Sequence, residues 1–252
     1  MNGGQAVAIL AGIASLGCAA QRGAGAAVGN EAPEGIMARA IGSAGGSAAL
    51  ERARALVWEG EATVHAGGRT VRLTGHWAVQ PPESAVVSTY ETSRGPASVR
   101  RLILSGDRGW LERGGQLTPM PPTVLANERQ QFYLYSVMRL VPLRASAAQL
   151  SAIAPDSLGQ RGVRVTQAGR PDVDVFVDNT GRLAHLRTRV TDAMTGNPAV
   201  EDVWLAGVVE ADGVRWPRSV RITLDGKPYF EMEIRTLRVM ARLEDPLLAG
   251  PK

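Results

Sequence analysis

Three histidines are the first candidates for metal or acid–base chemistry. His65, His76 and His185 have no partner at the helical i, i+4 spacing, and neither HExxH nor HxxEH occurs in the sequence. If the first two strands pair, His65 and His76 could be neighbours on one polar face, but the sequence offers no third ligand. The histidines are therefore expected to be structural, and no metal site is predicted.

The remaining chemical motifs are also absent or incomplete. Asp172, Asp174 and Asp178 alternate along one segment, but the glycine and glutamate of an EF-hand loop are missing, so a solvated face is expected. GxSxG, the P-loop and GxGxxG do not occur. We therefore expect no catalytic residue, no cofactor and no enzymatic activity. A hydrolase with an unrecognised site is the alternative to this expectation.

The single cysteine, Cys18, follows an apolar run at residues 6–16 that has the length of a signal-peptide core and is too short to span a bilayer. Residues 15–18, SLGC, resemble the lipobox that precedes the lipidated cysteine of bacterial lipoproteins. Ordinary cleavage after Ala20 is the alternative, and a redox role is disfavoured because a second cysteine is missing. Export is predicted, with Cys18 as the candidate lipid anchor.

The charge composition limits the classes of molecule that the protein is expected to bind. The 252 residues carry a formal net charge of +4, but the arginines are scattered among acidic residues rather than clustered on one face, so nucleic-acid binding is not expected. Arg94, Arg100 and Arg101 lie near one predicted hairpin, where they could meet anionic lipid head groups or simply be solvated. Residues 19–35 are rich in glycine and alanine and are predicted to be a flexible tether.

Most of the remaining chain alternates with a period of two. Two short helices are expected within residues 36–55, with Leu50 and Leu56 on the buried side of the second, and one long helix over residues 123–140. Elsewhere, ten to eleven strands are separated by tight glycine turns, which favours sequential antiparallel pairing and a sheet that must curl.

The segments LVWEGEATV, GVRWPRSVRI, EIRTLRV and LEDPLL, in this order after two amino-terminal helical segments, resemble the LolA/LolB-like superfamily of periplasmic lipoprotein carriers and outer-membrane lipoprotein-sorting proteins. The resemblance covers residues 36–248 and is most specific over 213–248. It implies a mainly β (α+β) fold in which a strongly curved antiparallel sheet forms a half-barrel and helices cover its concave face. Residues 1–18 would be the signal peptide and 36–252 the single folded domain.

The resemblance also implies a cavity for acyl chains, with lipid or lipoprotein acyl chains and other envelope proteins as partners. The protein would lie on the periplasmic side of the envelope, anchored to the outer rather than the inner membrane. The alternatives are a docking module without lipid and, for each cavity candidate, plain core packing. The cavity candidates are apolar residues of the predicted strands: Trp58, Val71, Leu73, Trp77, Val99, Ile103, Val203, Leu205, Val220, Ile222, Met232 and Ile234. The candidates for a lid are Phe132, Tyr133, Tyr135 and Met138.

Overall fold

A computed structural model of the chain describes residues 31–145, 148–192 and 195–250. The expected signal segment, Cys18 and residues 19–30 of the expected tether lie outside these residues. The first described helix begins at Pro33, so residues 33–35 are helical rather than part of a tether. In the described part of the chain, no helix is both long and apolar enough to cross a membrane.

The described residues form four α-helices and fifteen strands. The helices are α1 (Pro33–Ser43), α2 (Ser47–Arg52), α3 (Pro122–Met138) and α4 (Pro142–Ala145), and short 3-10 turns cover Thr92–Arg94, Pro96–Ser98 and Pro246–Ala249. The strands are β1 (Ala55–Ala66), β2 (Arg69–Gln80), β3 (Ser84–Glu91), β4 (Arg100–Ser105), β5 (Arg108–Arg113), β6 (Gln116–Pro119), β7 (Gln149–Ile153), β8 (Arg161–Thr166), β9 (Val173–Val177), β10 (Leu183–Thr191), β11 (Pro198–Ala206), β12 (Val209–Ala211), β13 (Val214–Trp216), β14 (Ser219–Leu224) and β15 (Lys227–Met240).

Thirteen of these strands form one sheet in the order β6-β5-β4-β3-β2-β1-β15-β14-β11-β10-β9-β8-β7, and β12 pairs with β13 apart from it. Neighbouring strands are antiparallel. The turn between β1 and β2 uses Gly67 and Gly68 at φ 57° and 74°, as tight hairpins require. The predicted antiparallel architecture is confirmed.

The strand and helix boundaries differ from the expectation in three places. Leu56 is a fully buried residue of β1 rather than of a helix, because α2 ends at Arg52. The expected strand after residue 200 stops at Ala206, since Gly207 adopts φ 63° and starts the short β12–β13 hairpin. Strand β7 has no predicted counterpart, because only Leu150 and Ile153 interrupt its small and polar residues.

The sheet curves around α3. One hydrophobic cluster contains Phe132 and Val137 of α3 together with Leu104 of β4 and Val163 of β8, strands that are nine positions apart in the sheet order. Side chains from such distant strands can meet in one core only if the sheet bends. A bulge at Glu59/Gly60 between β1 and β15 adds twist at the centre. The expected open half-barrel with helices on its concave face is confirmed.

The outer, convex face of the sheet is apolar where the carboxy-terminal segment covers it. Leu247 and Leu248 pack against Val86, Ile103 and Trp110. The expectation that Ile103 faces the concave side is therefore wrong: Leu102 and Leu104 point inward and Ile103 outward. Three consecutive apolar residues occur in β4 because both of its faces are covered.

A cavity beneath the long helix

The concave face contains a cavity of about 740 Å³ between α3 and one half of the sheet, and this is the candidate functional site. We call it the inner cavity. It is formed by strands β2 to β6, by β15 and by α3. Its lining residues are Leu73, Trp77, Val87, Thr89, Arg100, Arg101, Leu102, Leu111, Glu112, Arg113, Gln116, Thr118, Glu128 and Phe230.

Strand alternation supplies the apolar wall. Leu73 and Trp77 lie on the inward face of β2, and Leu102 and Leu111 are opposite each other on β4 and β5. Leu102 is half-buried and Leu111 is 36% exposed, so neither is covered completely by other side chains of the protein. Apolar wall that the fold leaves uncovered is available to a hydrocarbon ligand.

The structure divides the predicted cavity candidates into three groups. Leu73 and Trp77 line the inner cavity. Most of the others are buried in the main core: Trp58, Val203, Leu205, Val220, Ile222, Met232 and Ile234. Val71 is half-buried against that core, Val99 is half-buried just before β4, and Ile103 is on the opposite face.

All four predicted lid residues belong to α3. Phe132, Tyr133 and Met138 are buried and Tyr135 is half-buried. The ring of Tyr135 meets Trp58 edge-on, with 5.4 Å between the ring centroids, and lies 5.8 Å from Phe132. These aromatic contacts fix α3 on the sheet and leave Glu128 as its residue at the cavity wall.

Two smaller cavities also touch predicted residues. One of about 410 Å³ includes Leu73, Val220 and Met232, but most of its lining is charged or polar. The other, of about 320 Å³, lies between α1, α2 and β11–β13 and includes Leu205 and Met138. The inner cavity is larger than either, and a greater share of its lining surface is apolar.

Two glutamates, Glu128 on α3 and Glu201 on β11, have pKa values that are strongly raised. Glu201 is 1% exposed, and its Oε2 accepts a hydrogen bond from Gln131 Nε2 at 2.6 Å while Oε1 has no hydrogen-bond partner. Burial raises the pKa of Glu201 from 4.5 to about 7, and burial raises the pKa of Glu128 to about 7 as well. Both carboxylates raise the pKa of Tyr135 and Tyr229, after burial as the main cause.

Sequence reasoning missed these glutamates, although the sequence contains a signal for each. Glu201 shares the alternation of Val203 and Leu205, which places it on the inward face of β11. Glu128 precedes Phe132 by four residues and therefore lies on the same side of α3. In both cases a charged residue occupies a position that the period assigns to the core.

The histidines do not form a site. His65 pairs with Thr70 across the β1–β2 hairpin, whereas His76 pairs with Glu59, so the expectation that His65 and His76 are neighbours is wrong. Within residues 31–145, 148–192 and 195–250, no group of three or more potential ligands is placed to hold a metal ion.

His185 is buried on the outer face between two aromatic rings. The ring centroids of Phe176 and Trp204 are 5.0 Å and 3.8 Å away, and Nε2 lies 2.7 Å from Asp202 Oδ1. Burial lowers the pKa of His185, although the hydrogen bond to Asp202 opposes this shift. These contacts account for its place in the fold.

The sequence matches no protein-family model, and no curated protein matches it significantly. Solved structures are similar over most of the chain. A LolA superfamily protein from Nitrosomonas europaea is 13% identical, covers 86% of this chain and 97% of its own, and gives a TM-score of 0.53. A domain assigned to the outer membrane lipoprotein-sorting proteins, from Vibrio parahaemolyticus, is 11% identical with a TM-score of 0.50 and coverages of 80% and 94%.

The chain has a LolA-like fold. The predicted resemblance is thereby confirmed at the level of architecture. A DUF1329 family protein from Desulfovibrio piger shares this LolA-like architecture, with 8% identity, coverages of 86% and 97% and a TM-score of 0.54. Identities this low show that the fold is shared and do not show a shared function.

Proposed function

We propose that this protein binds lipid or lipoprotein acyl chains in the inner cavity, as a non-enzymatic carrier or sorting protein of the bacterial envelope. The observation that supports this most directly is the cavity itself, about 740 Å³ in volume and walled by Leu73, Trp77, Leu102, Leu111 and Phe230. Its volume is within the range of pockets that hold small ligands, about 300–1,000 Å³.

The energetics suit an acyl chain. Each methylene removed from water contributes about 0.8 kcal/mol, so a chain needs no specific polar partner along most of its length. Affinity would come from the shape of the apolar wall, and release from movement of α3 away from the sheet. The names of the similar structures, a LolA superfamily protein and a lipoprotein-sorting domain, agree with this proposal.

Direct binding of a neutral amphiphile tests the proposal. Tetradecanol, titrated into the purified protein below its solubility limit, should bind with a negative heat-capacity change, because binding buries apolar surface. Mass spectrometry of an organic extract of the purified protein should also detect copurified phospholipid or acylated peptide. A protein that neither binds tetradecanol nor carries extracted lipid would contradict the proposal and would favour the docking alternative.

A matched pair of leucines provides the control. Leu111→Trp adds volume inside the inner cavity and should weaken tetradecanol binding, since the leucine is 36% exposed on its wall. Leu158→Trp makes the same change at a loop residue that is 67% exposed, and it should leave binding unchanged. Equal effects of the two substitutions would show that the ligand is not held in this cavity.

Location forms a separate part of the proposal. We propose export to the periplasmic side of the envelope, with Cys18 as a lipid anchor that holds the protein at the outer membrane. Cys18→Ala should move the protein from the membrane fraction to the soluble periplasmic fraction. Unchanged fractionation of the variant would refute the anchor and favour cleavage after Ala20, without affecting the acyl-chain proposal.

A further inference from the structure

Two arginines at the edge of the inner cavity indicate which molecules it selects. Arg100 on β4 and Arg113 on β5 are directly opposite each other in the antiparallel ladder, and both line the cavity. Opposed Cβ atoms in such a ladder are about 4.5–5.5 Å apart, so like charges at these positions repel each other. An anion between the two guanidinium groups would convert this repulsion into attraction.

The neighbouring strands supply no compensating carboxylate. On the far sides of the pair, Arg100 is opposite Thr89 and Arg113 is opposite Gln116. Neither arginine forms an ion pair with any residue that the structure describes. Both side chains are exposed, so this end of the cavity opens to solvent.

Other strand arginines contrast with this pair. Arg101, the next residue along β4, is opposite Glu112 and makes an ion pair with it. Likewise Arg164 is opposite Asp174, with Nε donating to Oδ1 at 2.6 Å. In both of these pairs a carboxylate on the neighbouring strand balances the charge of the arginine. Arg100 and Arg113 instead face each other across the ladder, and both are cationic.

The acidic residues of the cavity lining do not neutralise the pair. Glu112 already accepts hydrogen bonds from Arg101 Nη1 and from the backbone N–H of Gly115. Glu128, on the wall formed by α3, has a pKa raised to about 7 by burial, with no opposing contribution from an arginine. Within the described part of the chain, the Arg100–Arg113 pair therefore remains an uncompensated dication beside an apolar wall.

We propose, on the basis of the acyl-chain binding proposed above, that the ligand of the inner cavity is an anionic amphiphile. Its phosphate or carboxylate head binds between Arg100 and Arg113, and its chain lies against Leu102, Leu111 and Trp77. Guanidinium groups suit this role, because their planar arrays of N–H donors bind two oxygens of phosphate or carboxylate at once. Thr89, Gln116 and Thr118 add polar groups around the head.

The test compares ligands that share one chain and differ only in the head. Tetradecyl phosphate and tetradecanoate should bind about tenfold or more tightly than tetradecanol at low ionic strength. This advantage should shrink as salt is added, because the arginines are exposed. Inorganic phosphate alone should bind far more weakly than tetradecyl phosphate. A preference for one of the two anionic heads would identify a phosphate-bearing lipid or a fatty acid as the source.

The double variant Arg100→Gln/Arg113→Gln should reduce the affinity for tetradecyl phosphate to that of tetradecanol, whose own affinity should not change. Arg238→Gln, at an exposed arginine of β15, is the control for the loss of charge. The single variant Arg113→Gln, with an intermediate effect, covers the case in which the double variant does not fold.

Equal binding of tetradecanol and tetradecyl phosphate by the unmodified protein would overturn the proposal without any variant, while leaving acyl-chain binding intact. Inorganic phosphate that binds as tightly as tetradecyl phosphate would also overturn it. Failure of all the amphiphiles would instead remove the proposed function on which it rests.

Discussion

Replacement of Glu201 by glutamine should change how the stability of the protein depends on pH. The carboxyl group is 1% exposed, and its pKa is raised from 4.5 in the unfolded chain to about 7 in the folded state. The folded protein therefore holds this proton more tightly than the unfolded chain. Below pH 4.5 both states are protonated and there is no penalty, and stability falls as the pH rises from 4.5 to 7.

The size of the effect follows from the same pKa values. A shift from 4.5 to about 7 corresponds to roughly 3 kcal/mol of unfolding free energy lost above pH 7. Glutamine stays neutral, and its carbonyl oxygen can accept the hydrogen bond that Gln131 Nε2 donates to Glu201 at 2.6 Å. The free energy of unfolding of Glu201→Gln, relative to that of the native protein, should therefore increase by about 2–3 kcal/mol as the pH rises from about 4.5 to about 8.5.

Denaturant unfolding over this pH range measures the effect, and thermal midpoints should move by about 5–10 °C at the alkaline end. Other groups also titrate. The raised pKa of Glu128 makes stability fall as the pH rises, as for Glu201, whereas the lowered pKa of His185 makes stability fall as the pH drops below 6.5. The difference between variant and native protein removes both contributions. The control is Glu233→Gln at an exposed position of β15. A difference for Glu201→Gln that does not change with pH would refute the reasoning.

Three further predictions concern the frame and the cavity. Gly60→Ala should lower the free energy of unfolding by several kcal/mol or prevent folding, because the added Cβ would lie 2.2 Å from the carbonyl oxygen of Glu233. The control is Gly42→Ala, whose Cβ would meet nothing within 4 Å. In denaturant unfolding it should be neutral or stabilising by up to about 1 kcal/mol. Trp58→Ala should lose about 3–5 kcal/mol, measured in the same way, since the residue is fully buried; a loss below about 1 kcal/mol would contradict its place in the core. Tetradecanol affinity should rise several-fold as the pH falls through 7, because a bound chain further desolvates Glu128 at the cavity wall and so favours its neutral form. Titrations of tetradecanol below and above pH 7 measure this dependence, and Glu128→Gln should abolish it.

The sequence predicts the fold well wherever one face of a strand is polar. In β1 and β2 the alternation places Trp58, Leu73 and Trp77 on one side, and the structure places all three on the concave face. The glycine turns predict antiparallel pairing because the connections are too short for anything else. Period and turn chemistry are local, so a single sequence contains them.

The alternation is uninformative where both faces are covered. Ile103 is flanked by Leu102 and Leu104, and only the distant residues Leu247 and Leu248 reveal that its side of the sheet is also buried. The cavity has the same limitation. Spacing cannot distinguish Leu73, which lines a void, from Val203, which packs in the core, because the difference depends on where α3 crosses the sheet.

The two outermost strands of the sheet, β6 and β7, pair with different neighbours and not with each other. β6 forms part of the wall of the inner cavity, and among the described residues it is hydrogen-bonded along only one of its edges. Bending that wall outward would preserve every hydrogen bond between neighbouring strands, whereas a sheet joined edge to edge would have to break a whole row of them. The proposed acyl-chain site can thus widen without loss of the backbone hydrogen bonds that hold its wall together.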